Sequence, residues 1–214
     1  MSLTLGSGSS AIAGSESVST SSGGATATTG VAHSVVRDGT ESYIVAARKL
    51  LMGEVVFDRV GGSLSAVRKR HSVQVGENQH LDMDNDMSLT NHSCSPNCQI
   101  TIFDGGGSPG QEPRVSLVVW AVEIPEGELL TLDYNAMEVD MSNPFDCRCG
   151  AANCRGRISG FSKLAPDVQA EYIAVCRAGE VGARSGGTAS NAADLPTLPL
   201  LTPVVKAWAE SNKL

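Results

Sequence analysis

Aromatic residues are scarce in this chain. Two Trp, three Tyr and four Phe make up 4% of its 214 residues, so each one is worth locating. No apolar run reaches the roughly 18 residues needed to cross a bilayer, and no membrane span is expected. The start, Met1 to Gly30, lacks a basic segment followed by an apolar stretch, so no secretory signal is expected. Basic residues are outnumbered: 16 Lys and Arg against 23 Asp and Glu leave a formal charge of −7. A protein held to DNA or RNA through phosphates needs a basic face, so direct nucleic-acid binding is not expected. An acidic surface instead attracts Lys-rich and Arg-rich segments, which makes a basic protein or peptide the expected partner. The sequence also lacks an internal repeat, and no long amphipathic helix is evident before Leu164.

An apolar fraction of 41% is enough to build a core. Residues 1–34 contribute little to it. They are Ser, Thr, Gly and Ala with few large apolar side chains, and such a segment cannot bury enough surface to offset its ordering entropy. A disordered tail is expected there. Its Ser-rich, acid-poor composition suits an organelle transit segment, but no Arg precedes Arg37. From Val35 onward, short apolar runs alternate with turn residues. Tyr43–Ala47, Glu54–Asp58, His71–Val75, Cys98–Phe103, Arg114–Ala121 and Glu128–Tyr134 all have the pattern of strands. Gly61-Gly62 and Gly105-Gly106-Gly107 mark turns or loops between them. The expected architecture is therefore mainly β up to Leu164. Beyond it, Pro166-Asp167 opens a helix to about Ala178, with Val168, Tyr172, Val175 and Cys176 on one side. Residues 181–203 are rich in Gly, Ser and Pro and are expected to form a flexible linker, and Val204–Asn212 a final short helix.

Six cysteines are present, and three crowd into eight residues: Cys147-Arg-Cys149-Gly-Ala-Ala-Asn-Cys154. In a chain without a secretory signal, such a cluster points to metal rather than to disulfides. Zinc takes four soft ligands in a tetrahedron, and short spacings let one loop supply several of them. This loop supplies three. The fourth must come from elsewhere, and Cys94 and Cys98 are the candidates, both within Asn91-His92-Ser93-Cys94-Ser95-Pro96-Asn97-Cys98.

Three segments occur in order: Asn91-His92-Ser93-Cys94-Ser95-Pro96-Asn97, then Glu128-Leu-Leu-Thr-Leu-Asp133-Tyr134, then the cysteine loop with Arg155-Gly156. Together they resemble the SET-domain family of protein lysine methyltransferases with its post-SET zinc loop, over roughly Val35 to Leu164. The run from Phe145 to Phe161 is similar to that of small stand-alone SET proteins. The resemblance implies a SET fold, a β-clip of short curved sheets with knot-like threading. It divides the chain into a SET domain at 35–140, a zinc-bound post-SET loop at 141–164 and a C-terminal helical extension with its linker at 165–214. It implies S-adenosylmethionine as cosubstrate, contacted by Asn91, His92, Tyr134 and Phe161. It implies Tyr134 as the catalytic residue, orienting the reacting amine and methyl group. It implies a structural zinc on Cys94, Cys147, Cys149 and Cys154. The expected activity is methyl transfer to lysine side chains of histone or non-histone proteins. The expected state is a monomer, and the expected location is intracellular, in nucleus, cytoplasm or an organelle.

The sequence also departs from the family. Aligning Gly53-Glu54 with the family's Gly-Glu puts Glu41-Ser42-Tyr43 where Gly-x-Gly is usual, and Arg59 where a tyrosine follows. Leu132 stands where Phe or Tyr often limits the number of methyl groups added. The alternative they suggest is a catalytically inactive, zinc-stabilised SET-fold binding module, or an adaptor in which the Cys loop is only a staple. Among the remaining residues, His71 and His80 are expected to be solvated, and Asp82, Asp84 and Asp86 to form a solvated acidic turn, since the Gly and distal Glu of a calcium hand are missing. Arg68-Lys69-Arg70 is at most a weak nuclear signal. Cys176 is expected to fill a helix interface, and Trp208 to anchor the C-terminal segment.

Overall fold

A computed structural model describes residues 31–103, 113–184 and 200–214. The Gly105–Gly107 loop and nearly all of the expected tail lie outside the described residues, as does most of the expected linker. In chain order the elements are β1 (His33–Asp38), β2 (Glu41–Ala46), β3 (Leu50–Leu51), β4 (Val55–Val60), β5 (Leu64–Ser65), β6 (Ser72–Gly76), β7 (Gln79–Asp82), β8 (Asn91–His92), β9 (Cys98–Phe103), β10 (Arg114–Val119), β11 (Glu123–Ile124) and β12 (Thr131–Leu132). A one-turn helix α1 (Tyr134–Met137) follows, then β13 (Phe145–Asp146), β14 (Arg157–Ile158), α2 (Pro166–Arg184) and α3 (Pro203–Ser211). Among the described residues no helix is long and apolar enough to cross a membrane.

Alternation of side chains builds the sheets. Cys98, Ile100 and Ile102 of β9 point inward while Gln99, Thr101 and Phe103 do not, the two-residue period of a half-buried strand. β10 lies between β4 and β9, antiparallel to both, and is the more deeply covered strand: Val115, Leu117 and Val119 are all buried. β5, β7 and β6 make a second three-stranded sheet, and the others pair in twos, including β1 with β2 and β13 with β14. The main core joins Ile44, Leu50, Leu81, Leu117, Ile124 and Leu130 across these small sheets. A second core lies where α2 and α3 meet α1, and joins Ala136, Phe161, Tyr172, Cys176, Leu201, Val205 and Ala209. Trp208 packs against it, and Cys176 is buried there with the Leu201 amide donating to its sulfur at 3.3 Å.

The mainly β architecture expected from the pattern is present, with differences at particular residues. β1 begins at His33, two residues inside the expected tail, because Ser34 and Val35 pair with Val45 and Ile44 on β2. β12 stops at Leu132 instead of running to Tyr134, because the Asp133 side chain caps a helical turn there. α2 continues to Arg184, past the expected Ala178 and into the first residues of the expected linker. His80 is buried, not solvated, because the β6–β7 hairpin folds it toward Glu138. Each of the three aspartates has a partner: Lys69 meets Asp82 at 2.5 Å, Arg59 meets Asp84, and His33 lies 3.3 Å from Asp86, while the Asp84 side chain stays exposed.

Gly160 lies tight against the Val139–Asp140 backbone. Its φ is +102°, outside the range of ordinary side-chain-bearing residues, and its amide donates to Asn135 Oδ1 at 3.1 Å. A Cβ there would stand 2.7 Å from Asp140 Cα and 2.8 Å from the Val139 carbonyl oxygen, both backbone atoms with no rotamer to yield. Gly160→Ala is expected to cost about 2–4 kcal/mol of stability, because backbone strain and overlap add. Urea denaturation of parent and variant measures it, and an unchanged midpoint would show that the close approach is not required.

Candidate functional site

Two strands of two residues each set the site. β12 runs parallel to β8, with Thr131 opposite Asn91 and Leu132 opposite His92. The Ser93 amide extends the pairing by donating to the Leu132 carbonyl at 2.9 Å. So short a ladder needs support, and Asn97 provides it. Its Nδ2 donates to the Leu129 carbonyl at 2.8 Å, and its Oδ1 accepts from the Thr131 amide at 2.8 Å. The segments 91–97 and 129–134 are thereby held side by side.

Tyr134 emerges from this pairing as the first residue of α1. Asp133 caps the helix, its Oδ1 accepting from the Asn135 amide at 3.0 Å. The Tyr134 amide donates to His92 Nδ1 at 3.2 Å. Burial holds the His92 imidazole far below its usual range, at about 4, so the ring is neutral at physiological pH. With Nδ1 accepting, the single ring proton sits on Nε2, which lies 3.3 Å from Cys94 Sγ. One imidazole thus ties the backbone of Tyr134 to a cysteine of the candidate metal group.

The Tyr134 hydroxyl donates to the Thr90 carbonyl at 2.5 Å. Burial pushes its pKa up to about 12, so the proton stays on at neutral pH. With the proton committed to Thr90, the lone pairs of the oxygen are left to accept from an incoming group. Phe145 of β13 closes the surroundings: its ring centroid is 6.0 Å from Tyr134 and 5.7 Å from His92, while His92 and Tyr134 are 5.3 Å apart, all edge-on. Asn91 is exposed, and its carboxamide bonds to nothing among the described residues. Tyr43 is half-buried on β2 opposite Val36, in the stretch that replaces Gly-x-Gly. Phe161 is fully buried in the second core, edge-on to Tyr172 at 6.0 Å and to Trp208 at 6.1 Å.

The cysteine loop is closed by β13 and β14 and by a 2.6 Å bond from the Cys147 amide to the Gly156 carbonyl. Cys94, Cys147, Cys149 and Cys154 bring their sulfurs within 4.8 Å of one another. Cys94 and Cys147 sulfurs are 3.9 Å apart. A tetrahedral zinc with arms of about 2.3 Å would set its ligand sulfurs about 3.8 Å apart, so the group can hold such an ion. Backbone amides already point at these sulfurs: Arg155 N–H at Cys94 (3.3 Å) and Cys149 N–H at Cys147 (3.4 Å). Amide donors of that kind favour thiolates and orient metal ligands. Cys98, the other candidate for a fourth ligand, is fully buried in β9 and stands outside the group.

Sequence reasoning did not assign Asn97, Phe145 or Tyr172 to the site. Asn97 lies within the quoted Asn91–Asn97 motif, so a signal existed. Phe145 adjoins the cysteine loop. Tyr172 carried only the helical spacing of a core residue, yet its hydroxyl donates to the buried Asp133 carboxylate.

Residues 41–135 match the family model described as SET domain. That segment is a SET domain. Among curated relatives, the protein named methyltransferase flvH of Aspergillus flavus is 29% identical over 137 residues, covering 63% of this chain and 72% of that protein. Histone-lysine N-methyltransferase ash1 of Drosophila melanogaster is 38% identical over 93 residues, 42% of this chain and 4% of that protein. The H3 lysine-4 specific histone-lysine N-methyltransferase of Saccharomyces cerevisiae is 29% identical over 127 residues, 52% of this chain and 11% of that protein. The chain therefore spans most of flvH but only a small part of these histone-lysine enzymes. Among solved structures, KRYPTONITE in complex with mCHG DNA and SAH aligns over 58% of this chain and 28% of its own, at 23% identity and a TM-score of 0.47.

Behind α1, a buried acid gives the site region a pH signature. Glu138 accepts from the Gln74 amide at 2.8 Å, and its other oxygen lies 3.9 Å from His80 Nδ1. Burial pushes its pKa up from 4.5 to about 8, partly opposed by the Gln74 bond and the Arg68 charge. The folded state therefore holds a proton that the unfolded chain releases above about 4.5. Stability from this group is full below that pH and is lost as pH rises toward about 8. His80, whose pKa burial lowers, works in the opposite direction below its ordinary value of 6.5. Glu138→Gln keeps an acceptor for Gln74 and removes the proton. Its unfolding free energy is expected to lose the downward slope between about pH 5 and 8 that the parent shows. Denaturation series at several pH values check this, and an equal slope in both proteins would refute it.

Proposed function

We propose that this chain is an S-adenosylmethionine-dependent methyltransferase acting on lysine side chains of basic proteins or peptides, with a structural zinc on Cys94, Cys147, Cys149 and Cys154. The observation that carries the reading is the position of Tyr134: backbone on His92, hydroxyl proton on Thr90, oxygen lone pairs available beside Phe145. Bound S-adenosylmethionine supplies a methyl group on a sulfonium, so displacement needs only an uncharged nitrogen nucleophile held in line. A lysine in water has a pKa near 10.4 and is mostly ammonium. Desolvation among Tyr134, Phe145 and the surrounding backbone favours the neutral amine. The Tyr134 oxygen accepts an N–H from that amine, or a C–H from the methyl group, and so fixes the line of attack. The histone-lysine names of the ash1 and yeast relatives support lysine as the acceptor. The net charge of −7 supports a basic partner. Nucleus or cytoplasm is the location this substrate class favours.

One observation favours a second reading, a SET-fold module that binds without turning over. Glu41-Ser42-Tyr43 places side chains on β2 where the family leaves bare backbone. Thermal unfolding with S-adenosylhomocysteine separates the two. At about 100 times its dissociation constant a ligand adds roughly 2.7 kcal/mol of stability, and no shift at high concentration favours the module.

Native protein is expected to carry one zinc per chain by elemental analysis. Cys94→Ser should lose most of it and Cys98→Ser should keep it. A metal-free native protein, or full metal content in the Cys94 variant, would count against the site.

Tyr134→Phe keeps the ring and removes the hydroxyl. The transfer rate on an active lysine peptide is expected to fall about 100-fold, equivalent to roughly 2.7 kcal/mol of transition-state stabilisation, with little change in cofactor affinity. Single-turnover assays and calorimetry on the same variant measure both. A parent-like rate would remove Tyr134 from the catalytic role.

A further inference from the structure

We infer that Tyr172, on the C-terminal helix α2, is a positioning residue for Tyr134: its hydroxyl, through the Asp133 carboxylate, holds the one-turn helix on which Tyr134 stands. This rests on the proposed role of Tyr134, but the structural link is testable without it. Residue 172 lies outside the SET segment of 41–135.

The chain of contacts is short and buried. Tyr172 is fully buried, and Asp133 is 2% exposed. The Tyr172 hydroxyl donates to Asp133 Oδ2, while Oδ1 caps α1 at the Asn135 amide. His92 Nδ1, which receives the Tyr134 amide, lies 3.8 Å from Oδ1. The two carboxylate oxygens therefore act separately, since one starts the helix and the other is held by α2. A tyrosine serving only as core filler would not need to aim its hydroxyl at the cap of a four-residue helix 39 positions away. An isolated single turn does not persist in water, so α1 depends on such outside bonds.

α2 is itself fastened to the cysteine loop. Arg155, which follows Cys154, donates to Glu171 Oε2 at 2.7 Å, next to Tyr172 in sequence. The Arg155 amide points at Cys94 Sγ. Two adjacent residues of α2 thus brace the cysteine loop, through Glu171, and the turn bearing Tyr134, through Tyr172. The placement of Tyr134 depends on chain that follows the SET segment by more than thirty residues.

Tyr172→Phe tests this. The ring and its edge-on contact with Phe161 remain, and only the donor to Asp133 is lost. Amide hydrogen exchange, read by mass spectrometry on fragments covering residues 133–138, is expected to speed up about tenfold or more, since a buried bond to a charged acceptor is lost. On an active peptide the methyl-transfer kcat should fall about tenfold with KM for S-adenosylmethionine within about twofold. Parent-like exchange at 133–138 together with parent-like kcat, with only melting temperature lowered, would overturn the inference and leave Tyr172 a core residue. If the parent transfers no methyl group to any lysine peptide, the proposed function fails, but the exchange result still decides the role of Tyr172. Should Tyr172→Phe not fold, Asp133→Asn reads the same link from the other end. Faster exchange is then expected in α2 around residue 172 as well as in α1, and an unaffected α2 would overturn the inference.

Discussion

Tyr134 stands on a helix of one turn, and such a turn has no stability of its own, because nucleation fixes several residues before hydrogen bonds repay the cost. Its shape must be imposed from outside. Asp133 caps it, and His92 receives the first amide. Gly160 donates to the Asn135 side chain, Phe161 to the Glu138 carbonyl, and Thr202 to the Ala136 carbonyl at 2.9 Å. These partners come from several separate stretches of chain. The geometry around Tyr134 is therefore a property of the whole fold, and not of the Asp-Tyr pair that marks it in the sequence.

Buried ionisable groups make the same arrangement costly to disturb. Asp133 is buried, and burial pushes its carboxyl up to about 6 while Tyr172, Asn135 and Arg155 pull the other way. At neutral pH it is an anion sustained by those donors, and taking one away leaves a charge with less compensation. His92 has the opposite preference and stays neutral. An anion and a neutral imidazole 3.8 Å apart divide the work: one caps the helix, the other relays position to Cys94. Four thiols closing on a metal would give this relay a fixed end.

Some of this was legible in the residues. Alternation along Cys98–Phe103 marked a strand with the bounds that the structure has, and the C-terminal helix near Val204–Asn212 begins and ends within a residue of the expected limits. The spacing of Cys147, Cys149 and Cys154 indicated three ligands, yet whether Cys94 or Cys98 joined them depended on which side chain leaves the strand. Cys98 is committed to the inward face of β9, so its sulfur turns into the core. The turn at Tyr134 was not legible, because Glu128–Tyr134 keeps a strand-like apolar pattern while a single capping side chain redirects the backbone. His80 misled for a related reason. Its local sequence is polar, and its partner Glu138 lies 58 residues away. Composition cannot see partners at that range.

The two cores meet at α1, and this explains why one turn suffices there. Met137 belongs to the main core, with Tyr134 packed against its edge, while Ala136 belongs to the second core with Phe161, Tyr172 and Val205. Neighbouring residues of a helix point in different directions, so four consecutive positions can serve two hydrophobic clusters at once. Full burial of a residue such as Phe161 or Leu130 contributes about 1.5–3 kcal/mol, far more than a single turn could supply from its own hydrogen bonds. The helix is thus stabilised from both sides by packing that would exist in part without it. Tyr134 thus stands at the seam of the two cores, and its hydroxyl donates to the Thr90 carbonyl from there.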